Sequence, residues 1–470
     1  MAETETRVQS RIERDSMGEM EVPADALYGA STQRAVINFP ISGQRFPRRF
    51  IRAQALIKRA AAEVNRDLGL LSGDKAAAIS AAAQDVADGG YDDQFPIDVY
   101  QTGSGTSTKT NFNEVIAHLA SRRLGGVRVH PNDDVNLCQS SNDTIPTAMQ
   151  LSAAQAIEDE LIPGLERLRA ALATKSEEFM PVVKTGRTHL QDATPIRLGQ
   201  EFAGYAGQVE ESIRRAGQAR DELTLVPLGG TAVGTGINSH PDYARRACAR
   251  LSALTGLNVR ETRNHFHAQA AIDAVIAAHG GLRTIALSLW KIASDVRLMG
   301  MGPRAGLAEL ALPETQPGSS IMPGKVNPVI VESLTMVVAR VFGNDTTVGF
   351  CQTGSLLELN VMMPVASVAM LESITLLANS ARNFSERCVE GLQATERGPD
   401  LVEKGLMLAT AFAPVIGYDD AARMAKEAFR SGKTIREVAR ERGFSDEELD
   451  RIIDPARLTE PGVGGGPGGG

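Results

Sequence analysis

The chain has 470 residues, 43% of them hydrophobic but only 4% aromatic, with one tryptophan, Trp290. That length exceeds a single small core and predicts two or three domains, and the Ala- and Leu-rich composition predicts closely packed helices and excludes a β-rich protein. The net charge of −8, from 49 basic and 57 acidic residues, comes without a long basic block or an aromatic-interleaved patch, which argues against a nucleic-acid partner.

Cys138, Cys248, Cys351 and Cys388 are widely spaced, giving neither a zinc knuckle nor a disulfide framework, and are expected to be reduced thiols. Met1 to Met20 lacks the apolar run of a secretory signal, and no later stretch reads as long enough to span a bilayer. A soluble, cytoplasmic protein is therefore expected, without a membrane partner.

In chain order, apolar residues first recur with helical period at Ile51, Leu56, Ile57, Ala60 and Val64, predicting a helix over Phe50 to Gly69. The stretch Gln101 to Asn111 then packs hydroxyls and backbone donors suited to carboxylate oxygens. Its Lys109-Thr110 invites comparison with a phosphate-binding loop. Thr108 stands where that motif needs its second glycine, and a β-carbon there obstructs the tight turn.

Arg128 to Asp133 and Gln139 to Asp143 form a second polar group. His130 with Asp133 and Asp134 could suggest a metal, but Pro131 fixes the chain beside the histidine and paired ligand spacing is lacking, so a hydrogen-bonded turn is the simpler reading. Ser140 or Ser141 can cap the helix that starts near Thr144. That helix carries one stripe from Met149 to Leu172, with a kink expected at Pro163-Gly164.

Further stripes run from Leu198 to Leu223 and from His267 to Met299. A fourth helix follows Pro328, and a fifth runs from Leu356 to about Leu392 with a kink at Pro364. Five long helices in succession indicate a bundle. Between the first two, the turn Lys184 to Gln191 holds His189, the best acid-base candidate, beside a hydroxyl and two cations. Gly229 to Gly236 lacks dinucleotide-fold spacing. His265 and His267, two apart on a helix, would face different ways.

After about Ala394 the helices become short and charged. Ser445 with Glu448 has capping-box spacing, Lys433 to Arg442 reads as a solvated face, and the tail Gly464 to Gly470 reads as disordered.

Gly318-Ser319-Ser320-Ile321-Met322-Pro323-Gly324-Lys325-Val326-Asn327-Pro328 is bracketed by glycine and proline and must be a loop. Two hydroxyls between its glycines, with a cation and a side-chain amide just beyond, suit a catalytic lid better than a surface turn. Gly-Ser-Ser-x-Met-Pro-x-Lys-x-Asn resembles the motif of the fumarase/aspartase superfamily, and the similarity runs from Arg14 to about Asp454.

That resemblance implies a mainly α fold of three helical domains (residues 1–140, 141–395 and 396–470), with a central bundle of five long helices forming the core of a homotetramer. It further implies active sites built from three subunits, a C4 dicarboxylate as substrate, and neither metal nor organic cofactor. It places substrate binding on Ser104, Gly105 and Thr106, on Ser140, Ser141 and Asn142, and on Thr188, Ser320, Lys325, Val326 and Asn327. A secondary dicarboxylate site would comprise His130, Pro131, Asn132 and Asp133. Proton handling falls to His189 and Ser319, with Glu332 as partner of the histidine and Lys325 among the catalytic groups.

Ser140-Ser141-Asn142-Asp143 and His130-Pro131-Asn132-Asp133 resemble the branch that reversibly hydrates fumarate to malate, a tricarboxylic acid cycle reaction. Leu359 to Pro364 and Asp454 to Gly462 look more like the aspartases, and Lys109-Thr110-Asn111 replaces an Asn-Met-Asn of the motif. The alternatives are therefore an aspartate ammonia-lyase or another C4-dicarboxylate lyase, and beyond enzymes a non-catalytic structural oligomer.

Overall fold

The computed structural model describes residues 9–462, so the expectation of disorder for Gly464 to Gly470 lies outside the described residues. Among these residues the architecture is mainly helical, and the strands occur only as two-stranded pairs. The first pair is the antiparallel hairpin β1 (Ser10–Asp15) and β2 (Gly18–Pro23).

Helix α1 (Arg48–Asp67) buries Ile51, Leu56, Ile57, Ala60 and Val64, but also Ala53, Ala55, Lys58 and Ala62, so it is covered on most sides and not on one face alone, and it packs along α2 (Gly73–Ala87). Full burial of each large aliphatic side chain stabilises by about 1.5–3 kcal/mol. Helix α3 (Thr106–Arg123) begins behind Gly105. Helix α4 (Ser141–Ala156) is capped by Ser140 in a reciprocal box with Asp143. The break expected at Pro163 takes the form of a π turn, Ile157–Leu161, before the chain continues as α5 (Ile162–Phe179). The wider turn makes room for a ring that would otherwise strike the carbonyl of Asp159.

Strands β3 (Val183–Thr188) and β4 (Gln191–Arg197) form a hairpin that leads into α6 (Leu198–Leu223). A shorter helix, α7 (Tyr243–Thr255), follows. The helix predicted from His267 is interrupted. A short helix at His265–Ala270 ends at extended Ala271, and α8 (Asp273–Met299) starts anew. Gln352 takes the Ile272 amide at 3.1 Å, which explains the break. Val275, Leu282, Ile285, Leu289, Ile292 and Val296 along α8 are all buried, as their spacing predicts.

Helix α9 (Val329–Cys351) follows Pro328 as expected. The fifth helix is shorter than predicted. Residues 355–360 form a small hairpin and α10 spans Met363–Arg387. Pro364 therefore lies in a first helical turn, where its missing N–H costs nothing, and it makes no mid-helix kink. Contrary to the sequence expectation, the stretch Met363–Gly391 is long and apolar enough to cross a membrane by composition alone, but 61% of its apolar window is buried inside the protein, as in a core helix.

The C-terminal helices α11 (Tyr418–Ser431), α12 (Ile435–Glu441) and α13 (Asp446–Ile452) close over Leu408, Phe412, Met424, Ile435, Val438 and Leu449. Lys433 to Arg442 is thus only partly a solvated face, since Ile435, Val438 and Ala439 are buried. The capping box of Ser445 with Glu448 forms as read, and Thr434 with Glu437 makes another.

The chain divides into two compact units. Of the described residues, the first comprises 9–163, 214–286 and 338–378, and the second 164–213, 287–337 and 379–462. Helices α6, α8, α9 and α10 each contribute residues to both. All four cysteines are free and buried.

Candidate active site

In the first unit three polar stretches far apart in sequence meet. Gly105, at φ 70°, turns the chain into α3, in the left-handed region that favours glycine. Gly103 permits an even closer approach, because a β-carbon there would lie 1.8 Å from the Val361 carbonyl oxygen. The turn presents a row of hydroxyls: Ser104 Oγ lies 2.8 Å from Thr106 Oγ1, which lies 2.8 Å from Ser141 Oγ. Ser141 Oγ donates to Asn142 Oδ1 at 3.2 Å, and Asn142 Nδ2 donates to the Ala232 carbonyl at 2.8 Å.

Asp143 holds this assembly from beneath. It accepts from the amides of Ser140, Gly229 and Thr231 at 2.8, 3.0 and 3.1 Å, tying the glycine-rich stretch at 229–236 to the start of α4. Burial raises its carboxyl pKa despite these donors. The wholly buried Lys58 ammonium, whose pKa is lowered by desolvation and by neighbouring Lys109, donates to Gln139 Oε1 at 2.8 Å and Asn136 Oδ1 at 3.2 Å.

The His130 turn is the hydrogen-bonded arrangement favoured on sequence grounds. His130 Nδ1 accepts from the Asp133 amide at 3.1 Å, the His130 amide donates to Asp134 at 2.7 Å, and Lys75 pairs with Asp134 at 2.7 Å. A cavity of ≈ 800 Å³ beside the turn is lined by His130, Pro131 and Asn132 together with Arg14, His118, Arg122 and Arg128. Asp133 is not part of that lining.

In the second unit Thr188 and His189 stand at the tip of the β3–β4 hairpin. His189 and Leu190 both have positive φ, 56° and 59°, as a tight two-residue hairpin turn requires. The tip is exposed, and Leu190 is 74% accessible. Beneath it lies a buried ionic cluster that sequence reading missed. Arg187 grips Glu309 with two parallel bonds of 3.0 and 2.9 Å. Lys184, 2% exposed, pairs with Glu309 at 3.2 Å and Glu201 at 3.0 Å. The signal was absent from the local sequence, because Glu309 is 122 residues from Arg187.

The Gly318–Asn327 stretch is a closed loop. The Gly318 amide donates to the Lys325 carbonyl at 2.8 Å, and Asn327 Nδ2 donates to the Gly318 carbonyl at 2.6 Å. Gly324, at φ 80°, makes the return bend. Inside it, Ser319 Oγ accepts from the amides of Ile321 and Met322 at 3.2 and 3.0 Å. Such donors favour the anionic form of the oxygen they address. Ser320, Lys325 and Val326 are exposed, as is Glu332 in the first turn of α9.

The structure thus brings Ser104, Thr106, Ser141 and Asn142 into one network, places Thr188 beside His189, and gathers Ser319, Ser320, Lys325, Val326 and Asn327 in one loop. Among the described residues, no hydrogen bond or ion pair joins His189 to Glu332.

Helical architecture and a closed serine-lysine-asparagine loop define the class. The chain matches the family described as Lyase over residues 18–343, and its end matches the fumarase C C-terminus over residues 408–460. The chain belongs to this lyase family. It is 52% identical over 457 residues to the class II fumarate hydratase of Mycobacterium tuberculosis H37Rv, covering 96% of each chain. It is 50% identical over 469 residues to fumarate hydratase class II 2 of Bradyrhizobium diazoefficiens, covering 98% of this chain and 99% of that one. The crystal structure of class II fumarase from Schistosoma mansoni superposes with a TM-score of 0.94 at 38% identity, over 96% of this chain and 99% of that chain. That of fumarate lyase:delta crystallin from Brucella melitensis bound to cobalt gives 0.93 at 44% identity, over 96% and 100%.

Proposed function

We propose that this chain is a class II fumarate hydratase, catalysing the reversible addition of water to fumarate to give malate. The observation that carries the chemistry is Ser319 Oγ, which receives two backbone amides in a loop that also holds Lys325. Identity near 50% to fumarate hydratases along almost the whole chain supports the substrate.

In the elimination direction a weakly acidic C–H beside a carboxylate must lose its proton, and the extra charge collects on that carboxylate. Ser319, as an alkoxide supported by its two amides and by Lys325, takes the proton. Lys325, Asn327 and Thr188 meet the developing charge, each worth roughly 3 kcal/mol in comparable sites. His189, polarised by Glu332, delivers a proton through water to the departing hydroxyl. Each proton transfer contributes about 10²-fold or more in rate. Ser104, Thr106, Ser141 and Asn142 hold the other carboxylate through neutral donors, with Gly105 and Ser140 setting their positions.

The same reading includes a homotetramer of three-domain subunits that completes each site from three chains. Support comes from the exposure of His189, Lys325 and Glu332 and from apolar residues left open on the long helices, including Trp290 (47% exposed) on α8 and Met336 (68%) and Phe350 (65%) on α9. A secondary dicarboxylate site at His130, Pro131, Asn132 and Asp133 also belongs to it. Four free buried thiols suit the cytoplasm.

Absorbance in the fumarate band tests the reading, with purified protein offered malate and then aspartate while ammonia is assayed in parallel. Fumarate from malate alone is expected. Ammonia from aspartate, with malate untouched, would replace the hydratase by an ammonia-lyase.

A further inference from the structure

Beside the hydroxyl row of the first unit stands a cation that the mechanism above does not use. Lys109 lies in the first turn of α3, three residues beyond Thr106, so the two side chains share one face of the helix. Its charged neighbours come from the two other helices that flank this turn. Lys58 on α1 repels it, and Asp143 on α4 attracts it.

Both neighbours are already satisfied. Lys58 donates to the Asn136 and Gln139 side chains, and Asp143 accepts three backbone amides. The Lys109 ammonium makes no hydrogen bond or ion pair among the described residues, although the residue is half-buried and desolvation pulls its pKa down. A cation drawn away from water without a partner is unfavourable, and the deficit is removed when an anion arrives. The hydroxyls within the same turn are neutral donors, suited to orient a carboxylate but not to neutralise it.

We propose that Lys109 is a carboxylate-pairing residue that sets specificity in this chain, its ammonium meeting the substrate carboxylate held by the Ser104, Thr106 and Ser141 hydroxyls. The inference rests on the dicarboxylate reading of the site. The motif this chain resembles carries an asparagine at this place, and exchanging that amide for an ammonium adds a full charge to an otherwise neutral half-site. The chain should therefore favour a doubly ionised ligand more strongly than a pocket of amides and hydroxyls would.

The test is a set of substitutions in the full-length enzyme. Lys109→Asn restores the amide, Lys109→Met removes polarity, and Lys109→Arg keeps the charge. Each is checked for native oligomeric state, then assayed for steady-state hydration of fumarate and for calorimetric binding of succinate, an unreactive C4 dianion. Both neutral variants should raise KM for fumarate and Kd for succinate about 10- to 100-fold, with the larger part of the loss in KM rather than kcat, as expected for removing a charge-assisted bond. Lys109→Arg should recover most of the affinity. Unchanged or improved KM and Kd in a folded neutral variant would overturn the role of Lys109 while leaving the hydratase intact. A wild-type enzyme that neither hydrates fumarate nor binds succinate would overturn the underlying reading as well.

Discussion

His279 Nε2 lies 2.9 Å from the hydroxyl of Ser373, and its Nδ1 lies 2.9 Å from Asp345. The order of groups matches a hydrolytic triad, yet His279 and Ser373 are both 0% exposed, so no substrate reaches them. The three residues join α8, α9 and α10 through a buried polar contact, with Asn344 donating to Ser373 at 3.1 Å. Burial lowers the His279 pKa, outweighing the upward pull of Asp345. The folded value therefore lies below the unfolded one of about 6.5. Between the two values the unfolded chain binds more protons, so stability is full above about pH 6.5 and is lost as pH falls below it. His279→Gln should lower Tm at about pH 8, costing about 1–3 kcal/mol, but should flatten the decline between about pH 7 and pH 5.5. Calorimetric melts across that range check it, and an equally steep decline in the variant would remove His279 as the cause.

The Arg187–Glu309 pair underlies a second prediction. Glu309 is 1% exposed and faces two cations, Lys184 and Arg187, while Glu201 offers a carboxylate to Lys184 alone. Glu309→Ala leaves an uncompensated buried charge and should cost about 3–5 kcal/mol in denaturant unfolding. Because β3 ends in Thr188 and leads directly into His189, kcat should fall as well. A loss under about 1 kcal/mol would mean that water enters the cavity and solvates the cations.

Gly318→Ala addresses the catalytic loop. A β-carbon at this position would lie 2.4 Å from the Lys325 carbonyl oxygen, the acceptor that closes the loop. The clash moves Ser319 and Lys325 relative to each other, and a displacement near 1 Å should lower kcat about 10²-fold. Thermal stability should change little, since the loop is exposed. Stopped assays with matched melting curves separate the two effects.

Ser319→Ala removes the proposed base and should lower kcat about 10²-fold or more while preserving the oligomer. Turnover within a few-fold of wild type would transfer the role to another group. The comparison with Gly318→Ala is informative, because one change deletes the oxygen and the other misplaces it.

Much of this was legible because the relevant signals are local. Ser140 and Asp143 are three residues apart and form the capping box their spacing allows, and the α8 stripe repeats with the helical period. The glycines at 318 and 324 likewise announce a loop. The discrepancies arise where distant residues decide. The helix predicted from His267 breaks because Gln352 captures the Ile272 amide. Pro364 starts a helix and does not bend one, because residues 355–360 fold back as a hairpin. The cluster of Lys184, Arg187, Glu201 and Glu309 has no periodicity to betray it. Lys109 was visible as an anomaly in its motif, but its lack of a partner became evident only from the positions of Lys58 and Asp143.

The approach of Gly103 to Val361 sets a rule for sequence change in this protein. The atom that excludes a side chain at position 103 is a main-chain oxygen, 1.8 Å from where a β-carbon would stand, and every amino acid at position 361 supplies the same oxygen. No compensating exchange at 361 can therefore make room for alanine at 103. Val361 itself, 47% exposed, is free to vary. In a saturation library selected for function the two neighbours should behave oppositely, one admitting a single residue and the other many, with no covariation between them.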